Sequence, residues 1–375
     1  MNEFDTQKYY ELTMKLTEQL CRIPAPSGYE DKRAEYIKNY LHKIGYTNAY
    51  IDSAKNVIWD IKGNTEDYVL FMAHTDTVFP DLSPLPYEDD GEIIRCPGVC
   101  DDTVCVAVIL AYCQYLKEIN FKPTRSILFS ANACEEGLGD LKGVKQIYKD
   151  FANKISLMFT LDGGYAHIAN KSVGSHRYRI KVKTQGGHSF GSFGRRNAIQ
   201  VLSSIVDNIY KIEVPKKDGV KTTYNVGTFS GGTSVNTIAQ SAEMLCEYRS
   251  DDNECLEIMK NKFYDIFENA KNEFNDAEIE VVLVGNRPAM GNVDKDTLDK
   301  VSKTVIDIQS RNAGVQVSAH AGSTDCNIPH SLGLPAICVG IYKGAGVHTR
   351  EEYLVKDSLK IGVNIMNDLF MEFSK

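Results

Sequence analysis

Four segments of the chain are continuously apolar and rich in β-branched or aromatic residues, a pattern typical of strands buried on both faces of a sheet. They cover residues 68–74, 125–133, 155–162 and 334–342. Between the first two lies the segment 103–116, which is apolar nearly all round and predicts a helix packed tightly on that sheet. Strands and helices that alternate in this way predict an α/β fold with a mostly parallel sheet and helices on both faces.

The middle of the chain has a different pattern. Residues 177–184 and 242–250 alternate between polar and apolar side chains, which is typical of half-exposed antiparallel strands. Two helix-like segments and two further strand-like segments complete the order β-α-β-β-α-β, at 197–212, 223–232, 256–273 and 277–285. We therefore predict a two-layer α+β domain over residues 175–286, inserted into a first domain formed by 1–174 and 287–375.

The N-terminal segment 1–20 places apolar side chains near a helical period, from Phe4 and Tyr9 to Leu12, Leu16 and Leu20. It lacks the basic start and the apolar core of a signal peptide, so we expect a surface helix. We find no apolar run of membrane-spanning length and expect no membrane partner.

Composition narrows the function classes. A length of 375 residues exceeds what one core usually serves, and a net charge of −8 gives nucleic-acid binding no electrostatic support. The ten cysteines form no CxxC pair, and Cys105, Cys113, Cys134 and Cys338 lie in apolar segments. This favours free, buried thiols in a reducing compartment and hence a cytoplasmic protein, with a cysteine zinc site as the alternative.

Each predicted parallel strand ends at residues that can bind a metal ion. Because ligands of open α/β sheets bind beyond the carboxyl ends of the strands, we expect these side chains to share one edge of the sheet. The turn before the apolar helix adds an acidic pair at the same edge. The residues are His74 and Asp76, Asp101 and Asp102, Glu135 and Glu136, Asp162, and His348.

Two imidazoles and several carboxylates without cysteine suit Zn²⁺ or Co²⁺, with Mn²⁺ possible. Carboxylates crowded into one crevice repel each other strongly unless cations neutralise them, and two ions fit the number of ligands better than one. Taken singly, a histidine at a strand end is usually a satisfied histidine, and an acidic pair at a helix start is usually a cap. Their coincidence at one edge favours the metal site.

The segments "AHTDTV", "GVCDD", "ACEEGLGD", "LDGG", "GGHS" and "GVHTREEYL" occur in this order. Together they resemble the co-catalytic zinc exopeptidases and deacylases, a group that includes peptidase T, carboxypeptidase G and succinyl-diaminopimelate desuccinylase. The chain looks most like the peptidase T-like aminopeptidases. The resemblance implies a catalytic domain with two Zn²⁺ ions per subunit and an inserted lid and dimerisation domain.

The resemblance also implies a ligand set. His74 and Asp162 would hold one zinc ion, Glu136 and His348 would hold the other, and Asp101 would bridge both. The peptide bond that follows the bridging aspartate is cis in the family, so we expect a cis bond between Asp101 and Asp102.

Three further residues take catalytic roles by the same resemblance. Asp76 would orient His74, and Glu135 would be the general base that activates a water bridging the two metal ions. His188, from "GGHS", would reach from the partner subunit of a homodimer to stabilise the oxyanion. From the sequence alone, His188 could equally be a turn residue at a strand end.

Substrate contacts can be proposed where the chain matches substrate-binding positions of relatives. These positions are Asn236, Arg249, Arg287, Gly322 and Thr324. The residues themselves leave open that Arg249 is a surface residue paired with Asp251 or Asp252.

Asp162 indicates the substrate class. Many deacylases and carboxypeptidases of the group carry glutamate at this position, whereas aspartate is the choice of the aminopeptidases. We therefore expect hydrolysis of a small peptide, releasing the N-terminal residue of a di- or tripeptide. An N-acyl amino acid deacylase or a carboxypeptidase is the alternative.

Two other classes of function remain as hypotheses. "GHSFG" fits the nucleophile elbow of serine hydrolases, with Ser189 followed along the chain by Asp325 and His348. The alternating strand before it and the unused acidic residues argue against this interpretation. A non-catalytic metal-binding protein is the other hypothesis, and the presence of Glu135 counts against it.

Overall fold

The computed structural model describes residues 4–375, so the first three residues of the predicted N-terminal helix lie outside it. The described chain divides into two compact units. The sheet unit comprises the residues up to Ser172 together with Gly291–Lys375, and the inserted unit comprises Val173–Met290. The sequence pattern predicts the boundaries of the insertion near residues 175 and 286.

The sheet unit is built on an eight-stranded mixed sheet with the strand order β1-β2-β6-β3-β7-β16-β8-β15. β3 pairs in parallel with β6 and β7, and β7 pairs in parallel with β16, so the centre of the sheet is parallel. The strands are β1 (Tyr50–Ile51), β2 (Val57–Ile61), β3 (Tyr68–His74), β6 (Ser126–Asn132), β7 (Ile155–Leu161), β8 (His167–Ser172), β15 (Ser318–Gly322) and β16 (Ala336–Val339). The sheet unit also contains a separate antiparallel sheet of four short strands: β4 (Glu88–Asp89), β5 (Ile93–Arg95), β17 (Gly344–Ala345) and β18 (Tyr353–Val355).

Helices cover both faces of the central sheet, as predicted. The helices of the sheet unit are α1 (Thr6–Cys21), α2 (Asp31–Lys43), α3 (Val104–Glu118), α4 (Lys142–Asp150), α7 (Lys295–Ala313), α8 (Asn327–Ser331) and α9 (Ser358–Phe373). Because successive strand residues point to opposite faces, the Phe71 and Phe129 rings contact Phe370 of α9, whereas Leu70 and Leu128 pack with α4 on the other side. Such two-sided burial explains why the central strands are continuously apolar.

The apolar helix α3 is part of this core. With the turn before it, the segment Val99–Glu118 is long and apolar enough to cross a membrane, contrary to our expectation from the sequence. However, 89% of its most apolar window is buried inside the protein. Its composition is therefore explained by contacts with neighbouring elements, among them α1, α9 and β3.

The inserted unit is a two-layer α+β module. Its four-stranded antiparallel sheet has the order β11-β13-β9-β14. Two helices pack on one face through apolar side chains that include Ile180, Leu202, Met244 and Phe263. The elements are β9 (Gly174–Lys183), β10 (Gly187–His188), α5 (Ala198–Ile209), β11 (Thr222–Gly231), β12 (Thr237–Ile238), β13 (Ser241–Ser250), α6 (Asn253–Glu273) and β14 (Glu278–Arg287). The alternating pattern of residues 177–184 and 242–250 thus reflects a sheet with helices on one side only.

All ten cysteines lie among the described residues, and each is buried and free of disulfide bonds. The prediction of free, buried thiols is confirmed for Cys105, Cys113, Cys134 and Cys338. Within residues 4–375, no cluster of potential metal ligands contains a cysteine.

Candidate metal centre

The carboxyl ends of the central strands meet at one edge of the sheet. His74, the last residue of β3, is paired with Asn132, the last residue of β6. Leu161, the last residue of β7, is paired with Val339 of β16. Parallel register therefore brings together the residues that follow these strands, including Glu135, Glu136 and Asp162.

The Asp101 carboxylate lies between two imidazole rings. Its Oδ1 is 2.9 Å from Nε2 of His74, and its Oδ2 is 2.9 Å from Nε2 of His348. Nε2 of His348 is also 3.0 Å from Oε1 of Glu136. Each carboxylate oxygen of Asp101 thus faces a different histidine, which is the arrangement that a bridging ligand requires.

Potential ligand atoms form overlapping clusters in which all atoms lie within 4.8 Å of one another. One cluster joins Asp101, Glu136 and His348. A second joins His74, Asp102 and Asp162, and a third joins His74, Glu135 and Glu136. The structure therefore brings together all five side chains that the sequence proposes as ligands, with Glu135 beside them.

The carboxylates of this site perturb the pKa of their neighbours. Burial raises the pKa of Asp162 well above its usual range, and the charges of Asp101, Glu135 and Glu136 add to the effect. Burial likewise raises the pKa of Glu136 to about 7, helped by Asp101 and Glu135. Burial and mutual repulsion thus both disfavour the ionised form of these carboxylates.

The histidines respond in the opposite direction. Hydrogen bonds to Asp101 and Glu136 raise the pKa of His348 to about 10. Burial of the His74 ring opposes protonation, but Asp102, Asp101 and Asp76 outweigh it and raise the pKa of His74 well above its ordinary value. The site therefore attracts positive charge at the positions between its imidazoles and carboxylates.

The donor set fits divalent cations of the zinc type. It offers imidazole nitrogen and carboxylate oxygen, and a cation would relieve the carboxylate repulsion seen in the raised pKa values. Nδ1 of His74 lies 3.0 Å from the main-chain oxygen of Asp76, so this nitrogen carries the proton and donates it. The lone pair of Nε2 is thereby directed toward the site, as metal-binding histidines require.

The Asp76 carboxylate supports the acidic pair as well as His74. Its Oδ1 is 3.5 Å from Nδ1 of His74 and accepts the main-chain N–H of Glu135 at 2.9 Å. Its Oδ2 accepts the N–H of Glu136 at 3.0 Å and the hydroxyl of Ser27 at 2.5 Å. Asp76 therefore holds the backbone on which the two adjacent glutamates are presented.

Two further buried carboxylates lie close to this site: Asp102, which the sequence places at this edge of the sheet without assigning it as a ligand, and Asp325, which the sequence does not place there. Asp102 accepts the main-chain N–H of His74 at 3.0 Å, and its peptide bond to Asp101 is cis, as the resemblance leads one to expect. Asp325 accepts a hydrogen bond from Asn132 at 2.7 Å. Asp102 stands in the acidic pair of the turn, whereas no pattern in the sequence relates Asp325 to Asn132.

A cavity of about 590 Å³ opens beside the predicted ligands within the sheet unit. Asp101 and Asp162 line one part of it. Gly163, Tyr165 and His167 are among its other lining residues. The predicted ligands are thus accessible to a small molecule.

The predicted substrate residues Gly322 and Thr324 also belong to the sheet unit. Gly322 ends β15, and Thr324 lies in the turn before α8, where its N–H donates to Oδ1 of Asn327 at 2.9 Å. This turn is held by its own side chains.

His188 and Asn236 lie in the inserted unit on neighbouring strands and loops. His188 is exposed, and its Nδ1 accepts the N–H groups of Phe190 and Gly191 at 3.3 and 3.2 Å. The main-chain oxygen of Asn236 accepts the N–H of Ser189 at 2.9 Å. The His188 ring is thus oriented by its own turn, with the proton on Nε2.

Arg249 and Arg287 lie on β13 and β14 of the inserted unit. Arg249 pairs with Glu247 at 2.6 Å, and so does Arg177 at 3.0 Å. Burial lowers the pKa of Arg177, and the positive charges of Arg287 and Arg249 lower it further. Arg177 and Arg249 therefore both pair with Glu247, and the charge of Arg287 reaches Arg177.

The geometry disfavours the serine hydrolase. Oδ2 of Asp325 accepts from Asn132, whereas the His348 ring faces Asp101 and Glu136, so these residues do not form the predicted relay. Ser189 follows the two-residue strand β10, and α5 begins only at Ala198. A nucleophile elbow instead passes directly from a buried strand into a helix.

The model of peptidase family M20/M25/M40 matches residues 70–372 of this chain. The chain belongs to this family. The M20 match includes the edge of the sheet with its acidic residues and histidines, and it makes the protein a metallohydrolase by family. The serine hydrolase and the nucleophile role of Ser189 are not supported by it.

Relatives and solved structures agree with the M20 family. A putative succinyl-diaminopimelate desuccinylase of Mycobacterium tuberculosis is 24% identical over 363 residues, which cover 94% of this chain and 96% of the relative. A tripeptidase of Staphylococcus aureus has a similar structure, with a TM-score of 0.76, 20% identity, and coverage of 97% of this chain and 98% of that one. Aminopeptidase PepT of Bacillus cereus gives a TM-score of 0.73, 21% identity, and coverage of 98% and 99%. At these identities, the structural likeness establishes the fold.

Proposed function

We propose that the protein is a metal-dependent exopeptidase that hydrolyses the amide bond of a small peptide and releases the N-terminal residue of a di- or tripeptide. The observation that carries this proposal is the Asp101 carboxylate held between the Nε2 atoms of His74 and His348. Glu135 lies in the adjoining cluster with His74 and Glu136. Aspartate at position 162, as in peptidase T-like enzymes, favours peptides over acylated substrates.

His74 and Asp162 would hold one divalent cation, Glu136 and His348 the other, and Asp101 would bridge the two. When bound, the ions would polarise the scissile carbonyl and lower the pKa of an attacking water. Zn²⁺ is the ion we propose, with Co²⁺ or Mn²⁺ as substitutes that suit the same donors.

Glu135 is the proposed general base. Its main chain is fixed by Asp76, so its carboxylate stays beside the ligand cluster without being needed as a ligand itself. The carboxylate takes a proton from the attacking water and passes it to the nitrogen of the leaving group. Transfer to this nitrogen makes the amine a good leaving group.

The inserted unit is proposed to be the lid and dimerisation domain of a homodimer. His188 would stabilise the oxyanion of the partner subunit's substrate through Nε2–H, and the hydrogen bonds to its Nδ1 place the proton there. Near it, Phe190, Phe193 and Val235 are large apolar side chains left exposed. Exposed apolar groups of this kind support association with a second copy.

Arg249, Arg287 and Asn236 are the proposed contacts of the substrate carboxylate or carbonyl, with Gly322 and Thr324 adding main-chain contacts. The arginines that pair with Glu247 and the charge of Arg287 near Arg177 support this, because guanidinium groups bind carboxylates well. The fold, the free thiols and the proposed chemistry are all compatible with our proposal of a cytoplasmic enzyme.

A substrate panel tests the proposal. We would assay Ala-Ala, Ala-Ala-Ala and N-acetyl-Ala with the purified protein and added Zn²⁺, and repeat the assay with Co²⁺ and Mn²⁺. We expect release of alanine from the peptides with a free N-terminus. The similarity to a putative desuccinylase favours a deacylase as the second candidate. Cleavage of the acetylated compound alone would establish that candidate and overturn the aminopeptidase.

A further inference from the structure

Glu352 is a fully buried glutamate four residues after His348. Its carboxylate accepts three main-chain N–H groups of the turn that presents Asp101. Oε2 accepts the N–H of Gly98 at 2.7 Å, and Oε1 accepts those of Cys100 at 2.7 Å and Asp101 at 3.1 Å. One side chain thus binds most of the turn between Gly98 and Asp101.

The main chain of Glu352 is tied to the same segment. Its carbonyl oxygen accepts the N–H of Cys96 at 3.2 Å, and the next residue, Tyr353, pairs with Arg95 between β18 and β5. The carboxylate is therefore aimed at the turn by strand pairing, so little conformational freedom is left to either partner.

The opposite side of the turn is also closely packed. Gly98 has a φ of +78°, and a Cβ at this position would lie 2.6 Å from Cγ2 of Thr77. Since Thr77 blocks the turn on one side, the hydrogen bonds to Glu352 decide its position on the other. Three hydrogen bonds to one side chain hold the turn firmly.

The position of this turn determines the geometry of the candidate centre. Oδ1 of Asp101 lies 2.9 Å from Nε2 of His74, and its Oδ2 lies 2.9 Å from Nε2 of His348. These two histidines are far apart in the sequence, so a shift of the turn would disturb at least one of the two contacts. Glu352 itself belongs to none of the described clusters of potential ligand atoms. It contacts the backbone of the proposed bridging ligand and not the ligand atoms.

We propose that Glu352 is a positioning residue that sets the metal affinity of the site by holding the Asp101 turn. This inference rests on the proposed metal site. It assigns to the family segment "GVHTREEYL" a second task besides supplying His348, because Glu352 holds the turn that carries the other ligand.

The test is Glu352→Gln, which keeps the size of the side chain but replaces one acceptor oxygen with an N–H₂ group facing a main-chain N–H. Apo protein would be titrated with Zn²⁺ by calorimetry, and Co²⁺ complexes would be compared by their visible absorption. We expect the variant to bind one or both ions about 10- to 100-fold more weakly, with a changed Co²⁺ spectrum. Glu351→Gln is the matched control, since Glu351 is adjacent, exposed and changes the net charge equally.

The outcomes separate the inference from the function. If the wild-type protein binds no ion, the proposed function fails. If wild type and Glu352→Gln bind two ions with equal affinity, only the positioning role is contradicted. Should the glutamine variant not fold, Glu352→Asp keeps both acceptor oxygens and shifts them by one methylene. Weakened binding in a folded Glu352→Asp protein supports the role, and wild-type binding there overturns it.

Discussion

At the scale of single residues, two adjacent glutamates, Glu135 and Glu136, are buried together. Their backbone is held by Asp76, whose carboxylate accepts both of their main-chain N–H groups. The Glu136 side chain faces His348, with its Oε1 3.0 Å from Nε2 of that ring. We propose that these adjacent residues have separate tasks, Glu135 as the general base and Glu136 as a metal ligand.

Substitution of the two glutamates should separate these tasks. We expect Glu135→Ala to reduce kcat by about 10²- to 10⁴-fold, as loss of a general base does, while the protein retains about two metal ions per subunit. Glu136→Ala should lose bound metal as well as activity, because a ligand is removed. Metal content by mass spectrometry and turnover on Ala-Ala-Ala distinguish the two. Near wild-type turnover in Glu135→Ala would show that the base is wrongly assigned.

We expect His330 to make the free energy of unfolding decrease at acidic pH. Its buried ring accepts from Ser172 through Nδ1 and donates to the carbonyl of Ala336 through Nε2, and burial lowers its pKa. Since the unfolded state binds a proton near pH 6.5 and the folded state resists it, this contribution to stability is present above pH 6.5 and is lost as pH falls below it.

His330→Gln therefore should lose less stability than wild type between pH 7.5 and pH 5. Urea unfolding of both proteins without metal gives the free energy of unfolding at each pH. The difference between the two proteins removes the effect of the other titrating groups. A steeper loss in the variant than in wild type would contradict the assignment.

At the scale of elements, the ends of each strand depend on the local sequence pattern and on hydrogen-bonded pairing with neighbouring strands. β3 spans Tyr68–His74, as the apolar run predicts, because β6 pairs with it along its whole length and β7 pairs with it as far as Met72. The run at 334–342 forms strand β16 only over Ala336–Val339. At Gly340, just after the strand, a Cβ would lie 2.0 Å from the oxygen of Gly164, so the two backbones approach closely there.

Helix α7 offers a test of local stabilisation. Oδ1 of Asp294 accepts the N–H of Thr297 at 2.9 Å and caps the helix. We expect Asp294→Ala to lower the free energy of unfolding by about 1 kcal/mol, and Asp294→Asn to change it little because asparagine caps equally well. Denaturant unfolding of the three proteins measures this, and equal losses in both variants would argue against the cap.

At the scale of the whole molecule, the chain passes out of the sheet unit at Val173 and returns after Met290. Each unit has its own core, so an inserted unit can carry functional residues while the sheet unit keeps the proposed ligands in place. This division motivates the proposal that His188 acts on the substrate of a second subunit.

Mixed dimers test that proposal. Glu135→Ala and His188→Ala should each be almost inactive alone. If His188 acts across the interface, a mixed dimer has one complete site, and an equal mixture should recover about a quarter of wild-type activity. Subunits are mixed after mild dissociation, and activity is compared with unmixed variants. No recovery in a mixture shown to contain mixed dimers would place His188 in its own subunit's site or outside catalysis.

The sequence by itself determined the fold class, the two-layer insertion and the residue types gathered at the strand ends. These follow from the period of apolar side chains and from parallel pairing, which act over short stretches. Only the tertiary structure decided which carboxylates touch which imidazoles, and it brought Asp325 and Glu352 into the surroundings of the site. Glu352 and Gly98 are 254 residues apart, and contacts at such separation arise from packing, which leaves no periodic trace in the chain.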